Sequence, residues 1–296
     1  MINFIIIFFC IVSGVLLKKY KYLPQDSHKS VNAWLINIAL PAFALKYIPK
    51  IEWSTELILP LSMPLVVWIG SYLFINLIAK KYAMTRATKT ALILVSGLGN
   101  TSFLGFPLTQ AYFENGLQVA VLCDQACFII TSTFGIIIAL KASQETKVKP
   151  LFLVRKVFSF PPFVVSLIAL ITAPFIDYSP MEEFLNIIGA TLVPLALFSV
   201  GLQLNIKNWR TDIRLISLSL LYKLMIAPSV ILLLSLLMQS SGLIKQVTIF
   251  EAAMAPMVTA AIIAADYNLN PKLANMILGL GIPISLITTF IWSLII

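Results

Sequence analysis

Ser96-Gly97-Leu98-Gly99-Asn100-Thr101-Ser102-Phe103-Leu104-Gly105-Phe106-Pro107 stands in the middle of an otherwise apolar stretch, residues 87–113. Three glycines, a polar triplet and a proline make a poor continuous helix. Glycine loses the most backbone freedom on folding, and proline lacks the N–H donor. A second stretch, Glu251-Ala252-Ala253-Met254-Ala255-Pro256-Met257-Val258-Thr259, has the same character. Pro256 removes a helical donor there, and Glu251 puts an acid into an apolar segment. A broken helix leaves unpaired N–H groups on one half and unpaired C=O groups on the other. The half-helix N-termini attract an anion. The freed carbonyls, with Asn100, Thr101 and Glu251, can coordinate a cation. The competing reading is two proline kinks whose polar side chains bond nearby carbonyls.

The solvent around these breaks follows from composition. The chain has 296 residues, 59% hydrophobic and 11% charged, against roughly 25% charged in soluble domains. So much apolar side chain calls for a lipid bilayer. In lipid the backbone must satisfy itself, which leaves helices or a closed barrel. Barrel strands alternate apolar and polar residues, whereas the apolar runs here are continuous, as in Leu57–Ala79 and Met225–Met238. The expected fold is therefore an all-α polytopic membrane protein. A transmembrane helix needs roughly 20 mostly apolar residues, and ten segments qualify: 1–17, 31–49, 57–79, 87–113, 117–140, 157–176, 184–203, 213–238, 246–266 and 273–296. The first lacks a basic n-region and a small-residue cleavage site, so it reads as an anchor and not a cleaved signal peptide.

The net charge of +9 is explained by topology and not by nucleic acid. Of 21 Lys and Arg residues, 17 fall in the loops after the first, third, fifth, seventh and ninth segments. The other side holds Lys46, Lys50 and Lys245, and Lys223 lies within the eighth segment. The positive-inside rule then places both termini on the non-cytoplasmic side of the cell (inner or plasma) membrane.

Five segments precede the basic stretch 141–156 and five follow it. Leu40-Pro41-Ala42-Phe43 in segment 2 and Val193-Pro194-Leu195-Ala196 in segment 7 set a proline in the same apolar context, 153 residues apart. The same shift lays the remaining segments of one half over those of the other and sets Asn100 against Ala253. With an odd number of spans per half, the second half is inverted. The expected organisation is a first five-helix repeat at 1–140, a basic cytoplasmic linker at 141–156, and a second, inverted repeat at 157–296. Interrupted segments at corresponding places in two such halves are the best sequence pointer to a transport site.

Two acids lie inside spans, Asp124 in Cys123-Asp124-Gln125, and Glu251. A charge at mid-membrane costs at least about 2.5–3.5 kcal/mol, so both are expected to face the protein interior. Lys223 has two readings: it snorkels to the cytoplasmic face, or it is a counter-charge for an acid or an anionic substrate. Cys10, Cys123 and Cys127 sit in apolar runs with no zinc spacing and read as small packed hydrophobes. With His28 as the single histidine, His-based hydrolase triads and zinc sites are excluded. No cofactor is expected and the chain does not read as an enzyme.

The stretches Asn37-Ile38-Ala39-Leu40-Pro41-Ala42-Phe43, Gly99–Leu108, Glu251-Ala252-Ala253-Met254 and Ala265-Asp266-Tyr267-Asn268 with Pro271 beyond resemble the auxin efflux carrier family in its short bacterial-type form. They occur in family order along essentially the whole chain. The long hydrophilic centre of plant carriers is absent; only 141–156 stands there. The resemblance implies ten helices in two inverted five-helix repeats, with a scaffold panel and a core where helices 4 and 9 break and cross. That fold is shared with bile acid:sodium symporters, whose sodium sites use an asparagine and a glutamate that Asn100 and Glu251 resemble, with Met254 three residues on. The family often joins Met directly to Pro in helix 9; here Ala255 intervenes, which would shift the crossing by one residue.

The candidate substrate- and ion-binding residues are accordingly Asn100, Thr101, Ser102, Asp124, Gln125, Glu251, Met254 and Thr259. Gly99, Gly105, Pro107 and Pro256 are assigned to the helix breaks, with Lys223 as a counter-charge. The expected function is a secondary active transporter of a small organic anion, a carboxylate, by alternating access with H+ or Na+ coupling. Sodium, if used, would sit at Asn100 and Glu251. The alternative is a membrane-embedded sensor with the same fold and no net transport. A homodimer through the scaffold helices is what related carriers suggest.

Overall fold

The computed structural model describes residues 2–82, 84–143, 150–204 and 212–296. Among these residues everything regular is helical, and the one β contact is an isolated antiparallel bridge between Gly99 and Pro256. The order is α1 (Ile2–Lys19), α2 (Ser27–Trp34), α3 (Leu40–Tyr47), α4 (Ile58–Tyr82), α5 (Arg86–Gly97), α6 (Phe106–Tyr112), α7 (Leu117–Ile130), α8 (Ile136–Ala142) and α9 (Pro150–Phe158). Then come α10 (Pro161–Thr172), α11 (Glu182–Ala190), α12 (Leu192–Gln203), α13 (Ile213–Leu221), α14 (Ala227–Leu237), α15 (Gly242–Ala252), α16 (Val258–Asp266) and α17 (Pro271–Ile295).

Several of these join end to end through short π-helical or 3-10 turns. Six of the resulting rods are long and apolar enough to cross a membrane: Ser27–Lys50, Thr55–Tyr82, Leu117–Ala142, Ser179–Gln203, Ile213–Leu237 and Pro271–Ile295. At 24 to 28 residues they reach about 36–42 Å, more than the roughly 30 Å hydrocarbon core. Large apolar side chains point outward along them, Leu77 at 68% and Leu237 at 83% exposure among them. An aqueous surface would not tolerate that arrangement over so many rods. The protein is a polytopic helical membrane protein.

Three of the four π-turns among the described residues share a cause. Leu35–Ala39, Thr101–Gly105 and Tyr222–Ile226 each end two residues before a proline: Pro41, Pro107 and Pro228. A proline cannot donate its i→i−4 bond, and its ring clashes with the carbonyl four residues back. The wider turn ahead of it absorbs that clash and the helix continues.

Elsewhere the rods depart from the expected spans. The segment expected at 157–176 divides at Ser159-Phe160: α9 ends at Phe158 and α10 covers only Pro161–Thr172. The Pro161-Pro162 pair holds Phe160 in an extended conformation, φ −94° and ψ 108°, as a residue before proline requires. The stretch 141–156 is not all loop, since α8 ends at Ala142 and α9 begins at Pro150; residues 144–149 lie outside the described residues. The rod Ser179–Gln203 is interrupted at Thr191, where α11 and α12 meet.

The tightest helix pair is α1 against α12. A Cβ on Gly14 would fall 2.4 Å from the Phe198 carbonyl oxygen, and one on Gly201 would fall 2.2 Å from that of Ile11. Two glycines therefore let these backbones touch, the close approach that membrane helices use in place of a hydrophobic driving force.

Candidate functional site

The two interrupted stretches meet. Helix α5 ends at Gly97, Leu98 is extended, and the chain leaves the helix through Gly99 and Asn100 until a π-turn at Thr101 restarts it into α6. Helix α15 ends at Ala252, and the chain restarts at Val258 as α16. The Asn100 amide donates to the Ala255 carbonyl at 2.8 Å, and the Met257 amide donates to the Leu98 carbonyl at 2.9 Å. Each break thus satisfies part of the backbone that the other frees. Gly99 faces Pro256 at the centre of this crossing, and both are buried. Of the residues assigned to the breaks, Pro107 is misplaced. It is the second residue of α6, beyond the π-turn, where the missing N–H is accommodated. Gly105 lies within the π-turn, and its reason is steric: a Cβ there would come 2.3 Å from Glu251 Oε2.

Around the crossing the buried polar groups sort into three clusters. The first joins α7 to the restart of the first break. Thr101 Oγ1 donates to Asp124 Oδ1 at 2.7 Å, with Asp124 only 3% exposed. Cys127 Sγ points to the Gly99 carbonyl at 3.7 Å, and Thr131 Oγ1 reaches Met257 Sδ at 3.5 Å. Asp124, Cys127 and Thr131 are spaced i, i+3, i+7, one face of a helix, so α7 lays a polar stripe along the break.

The second cluster is Glu251, fully buried at the end of α15. Thr109 Oγ1 of α6 donates to its Oε1 at 2.7 Å. Among the described residues its Oε2 has no hydrogen-bond partner, and neither does Asn100 Nδ2. Buried polar atoms are nearly always bonded, so an acceptor and a donor left over on two residues of one crossing mark it as a place built for something besides packing.

Lys223 forms the third cluster. The sequence left it between snorkelling and a counter-charge; at 1% exposure it does not snorkel. It sits in the π-turn Tyr222–Ile226 of the rod α13–α14, and its Nζ donates to the Ala252 carbonyl at 2.7 Å. Ala252 is the last residue of α15, so the ammonium caps the negative end of a half-helix dipole. The same ammonium lies near Gly99, where a Cβ would stand 3.2 Å from Nζ. Among the described residues no carboxylate lies within 4.0 Å of it.

The remaining candidates are placed unevenly. Ser102 and Met254 are buried at the crossing. Gln125, beside Asp124 on α7, is half-buried, and its buried Oε1 has no hydrogen-bond partner among the described residues. Thr259 is exposed in the first turn of α16 and is not among the buried polar groups. Thr109, Cys127 and Thr131 were not foreseen. The i, i+3, i+7 spacing from Asp124 was the signal for two of them. Nothing in the sequence marks Thr109 as the partner of an acid 142 residues away. No group of three or more His, Cys, Asp or Glu side chains could hold a metal ion among the described residues.

Apolar rods around a buried crossing of two interrupted helices put the molecule in the class of polytopic membrane transport proteins. The chain belongs to the membrane transport protein family, that of the auxin efflux carriers, whose pattern matches residues 1–293. It is similar to an uncharacterized transporter of Methanocaldococcus jannaschii, 26% identical over 300 residues, covering 98% of this chain and 96% of that protein. An uncharacterized transporter of Methanothermobacter thermautotrophicus is 23% identical over 290 residues, covering 96% of this chain and 94% of its own.

Proposed function

We propose that this protein is a secondary active transporter of a small organic anion, a carboxylate by class, working by alternating access around the crossing and coupled to protons or sodium. The observation that carries the reading is the placement of Lys223: a buried ammonium capping α15 beside Gly99, with no carboxylate within ion-pair distance among the described residues. A cation held this way favours an anionic ligand, and the partial positive charge at the start of the restarted half-helices adds to it. Glu251, with one oxygen bonded to Thr109 and the other open, is the group proposed to take the coupling proton or sodium; Asp124 is the second. The family membership and the transporter-named relatives support transport over catalysis.

In this reading the chain crosses the membrane ten times, as two inverted five-helix repeats with both termini outside. The crossing supports the repeat. A bridge at a two-fold axis pairs equivalent residues, and Gly99 and Pro256 stand 157 apart. That separation carries Thr101, where the first break restarts, onto Val258, where the second restarts. It is four residues more than the separation of Pro41 and Pro194, about one helical turn, so Asn100 is matched with Met257 and not with Ala253. A cavity of about 510 Å³ between α1, α3, α6 and the junction of α11 and α12 is lined by residues that include Phe43, Lys46, Pro107, Gln110, Asn186 and Pro194. It is the proposed approach for substrate, between the panel and the crossing core.

The test is thermal unfolding of the purified protein in sodium against potassium, with a panel of mono- and dicarboxylates, followed by uptake of the best ligand in proteoliposomes. A ligand that binds only the folded state stabilises it by about 2.7 kcal/mol at a hundredfold excess over Kd. One carboxylate that shifts unfolding and is taken up supports the reading. Binding without uptake would favour the sensor, and neither would remove the carboxylate assignment.

A further inference from the structure

A second cavity, of about 640 Å³, opens on the Lys- and Arg-rich face of the protein between α4, α5 and α8. Its lining includes Tyr72, Asn76 and Lys80 of α4, Arg86 and Lys89 of α5, and Lys141 of α8. Four cations from three helices thus surround one space, and among the described residues the cavity lining contains no acid. Among the described residues none of the four has a carboxylate within 4.0 Å. Lys89 Nζ donates to Asn76 Oδ1 at 3.1 Å, which fixes the ammonium and leaves it two further donors. The cavity lies at the start of α5, a twelve-residue helix whose N-cap is Thr85. Thr85 Oγ1 accepts from Thr88 N, and the flank of the helix that carries Arg86, Lys89, Thr90 and Ile93 lines the space. The crossing lies at the far end of α5, about 18 Å away at 1.5 Å per residue, so this is a separate place.

Charge alone would suit any phosphate, and the flank of the cavity narrows the choice. On α4, Leu73 and Leu77 are 58% and 68% exposed, and Lys80 follows them on the same stripe at i+7. A lipid-facing apolar track thus leads straight to a cationic head. An anionic phospholipid has that order of parts: acyl chain along the helix, phosphate at the interface. Basic pockets between membrane helices bind such headgroups, and the Arg86 guanidinium offers a phosphate two parallel donors. We propose that the cavity between α4, α5 and α8 is a binding site for the phosphate headgroup of an anionic phospholipid, with an acyl chain lying along Leu73 and Leu77.

The test uses the full-length protein in detergent. Thermal unfolding is followed while dioleoylphosphatidylglycerol, dioleoylphosphatidylcholine, inorganic phosphate or glycerol 3-phosphate is titrated. The expected result is a stabilising shift with phosphatidylglycerol beyond that with phosphatidylcholine, and no such shift with the two soluble phosphates. The double variant R86Q/K141Q should lose most of the increment, at about fivefold in apparent affinity per charge removed. Should that variant fail to fold, K141Q alone, at the exposed end of α8, reads the same loss of about fivefold. The variant K19Q/K21Q, which removes two exposed cations elsewhere, should keep the increment. Equal shifts with both lipids would overturn the proposal. So would a full increment from phosphate alone, which would make this a soluble-anion site, or an equal loss in K19Q/K21Q, which would make the effect one of net charge.

Discussion

The Lys223 ammonium donates to the carbonyl of Ala252 at 2.7 Å, so a side chain from one membrane rod closes the C-terminal end of a half-helix in another. The bond does two jobs at once. It satisfies a carbonyl that the break at Pro256 would leave open, and it fixes a positive charge beside the backbone of Gly99. Removing it therefore has consequences for both stability and function.

Lys223→Met keeps the length of the side chain and removes the charge. An unsatisfied buried acceptor costs about 1–3 kcal/mol, so the variant should unfold at a lower temperature and still fold. Its carboxylate-induced shift in unfolding temperature should vanish. A variant that binds the same anion with unchanged affinity would remove Lys223 from the site.

Gly105→Ala introduces one methyl group 2.3 Å from Glu251 Oε2. The three nearest heavy atoms all belong to the buried Glu251 carboxyl group, so the carboxylate must move. The expected cost is about 1–3 kcal/mol, together with a loss of coupled uptake of tenfold or more. Gly135→Ala is the matched control, because its nearest contact would be an ordinary 3.6 Å to Leu94 Cδ2. Uptake and unfolding measured side by side should show the control close to wild type.

Glu251→Gln retains the shape of the side chain but not its charge. Ion-driven uptake should fall to background, while the detergent-purified protein remains folded and monodisperse. Thr109→Val takes the hydroxyl from Oε1 and should shift the pH or sodium dependence of uptake without abolishing it. Normal coupled uptake by Glu251→Gln would sink the role given to this acid.

Gly14→Ala and Gly201→Ala push a methyl group into a facing backbone and not into a movable side chain. Neither clash can be relieved by a rotamer change, so α1 and α12 must separate. Each variant should lower the unfolding temperature by several degrees, the pair giving less than the sum because they disturb one contact. These substitutions lie outside the crossing, and ligand-induced stabilisation in the surviving fold should persist.

Much of this architecture could be read from residue order because lipid imposes simple rules. Continuous apolar runs fixed the helical class, and the glycines around Asn100 and the proline after Met254 located both interruptions. Register across space was harder. Equal spacing of Pro41 and Pro194 suggested Asn100 opposite Ala253, whereas the bridge joins Gly99 to Pro256. Under the proposed inverted repeat, the bridge gives a separation four residues longer than that of Pro41 and Pro194, a difference too small for matched segment positions to reveal. Pro107 looked like a break because a proline is costly in a regular helix; the π-turn ahead of it removes most of that cost. Lys223 was ambiguous because snorkelling depends on which way the helix face points. The partner of Glu251 was invisible, since a threonine in an apolar helix carries no mark of what it will meet.

The two backbone bonds at the crossing, Asn100 to Ala255 and Met257 to Leu98, have a mechanical meaning. They pin four half-helices at one point. Sliding either chain by a residue along the other would break both bonds together, whereas a small turn about the line joining Gly99 and Pro256 displaces the bonded atoms far less, because both bonds are made by residues adjacent to that line. The joint behaves as a pivot pin and not as a rail. In the proposed alternating-access cycle such a joint favours rocking of the surrounding rods, with the smallest travel at the crossing and the largest at the membrane surfaces.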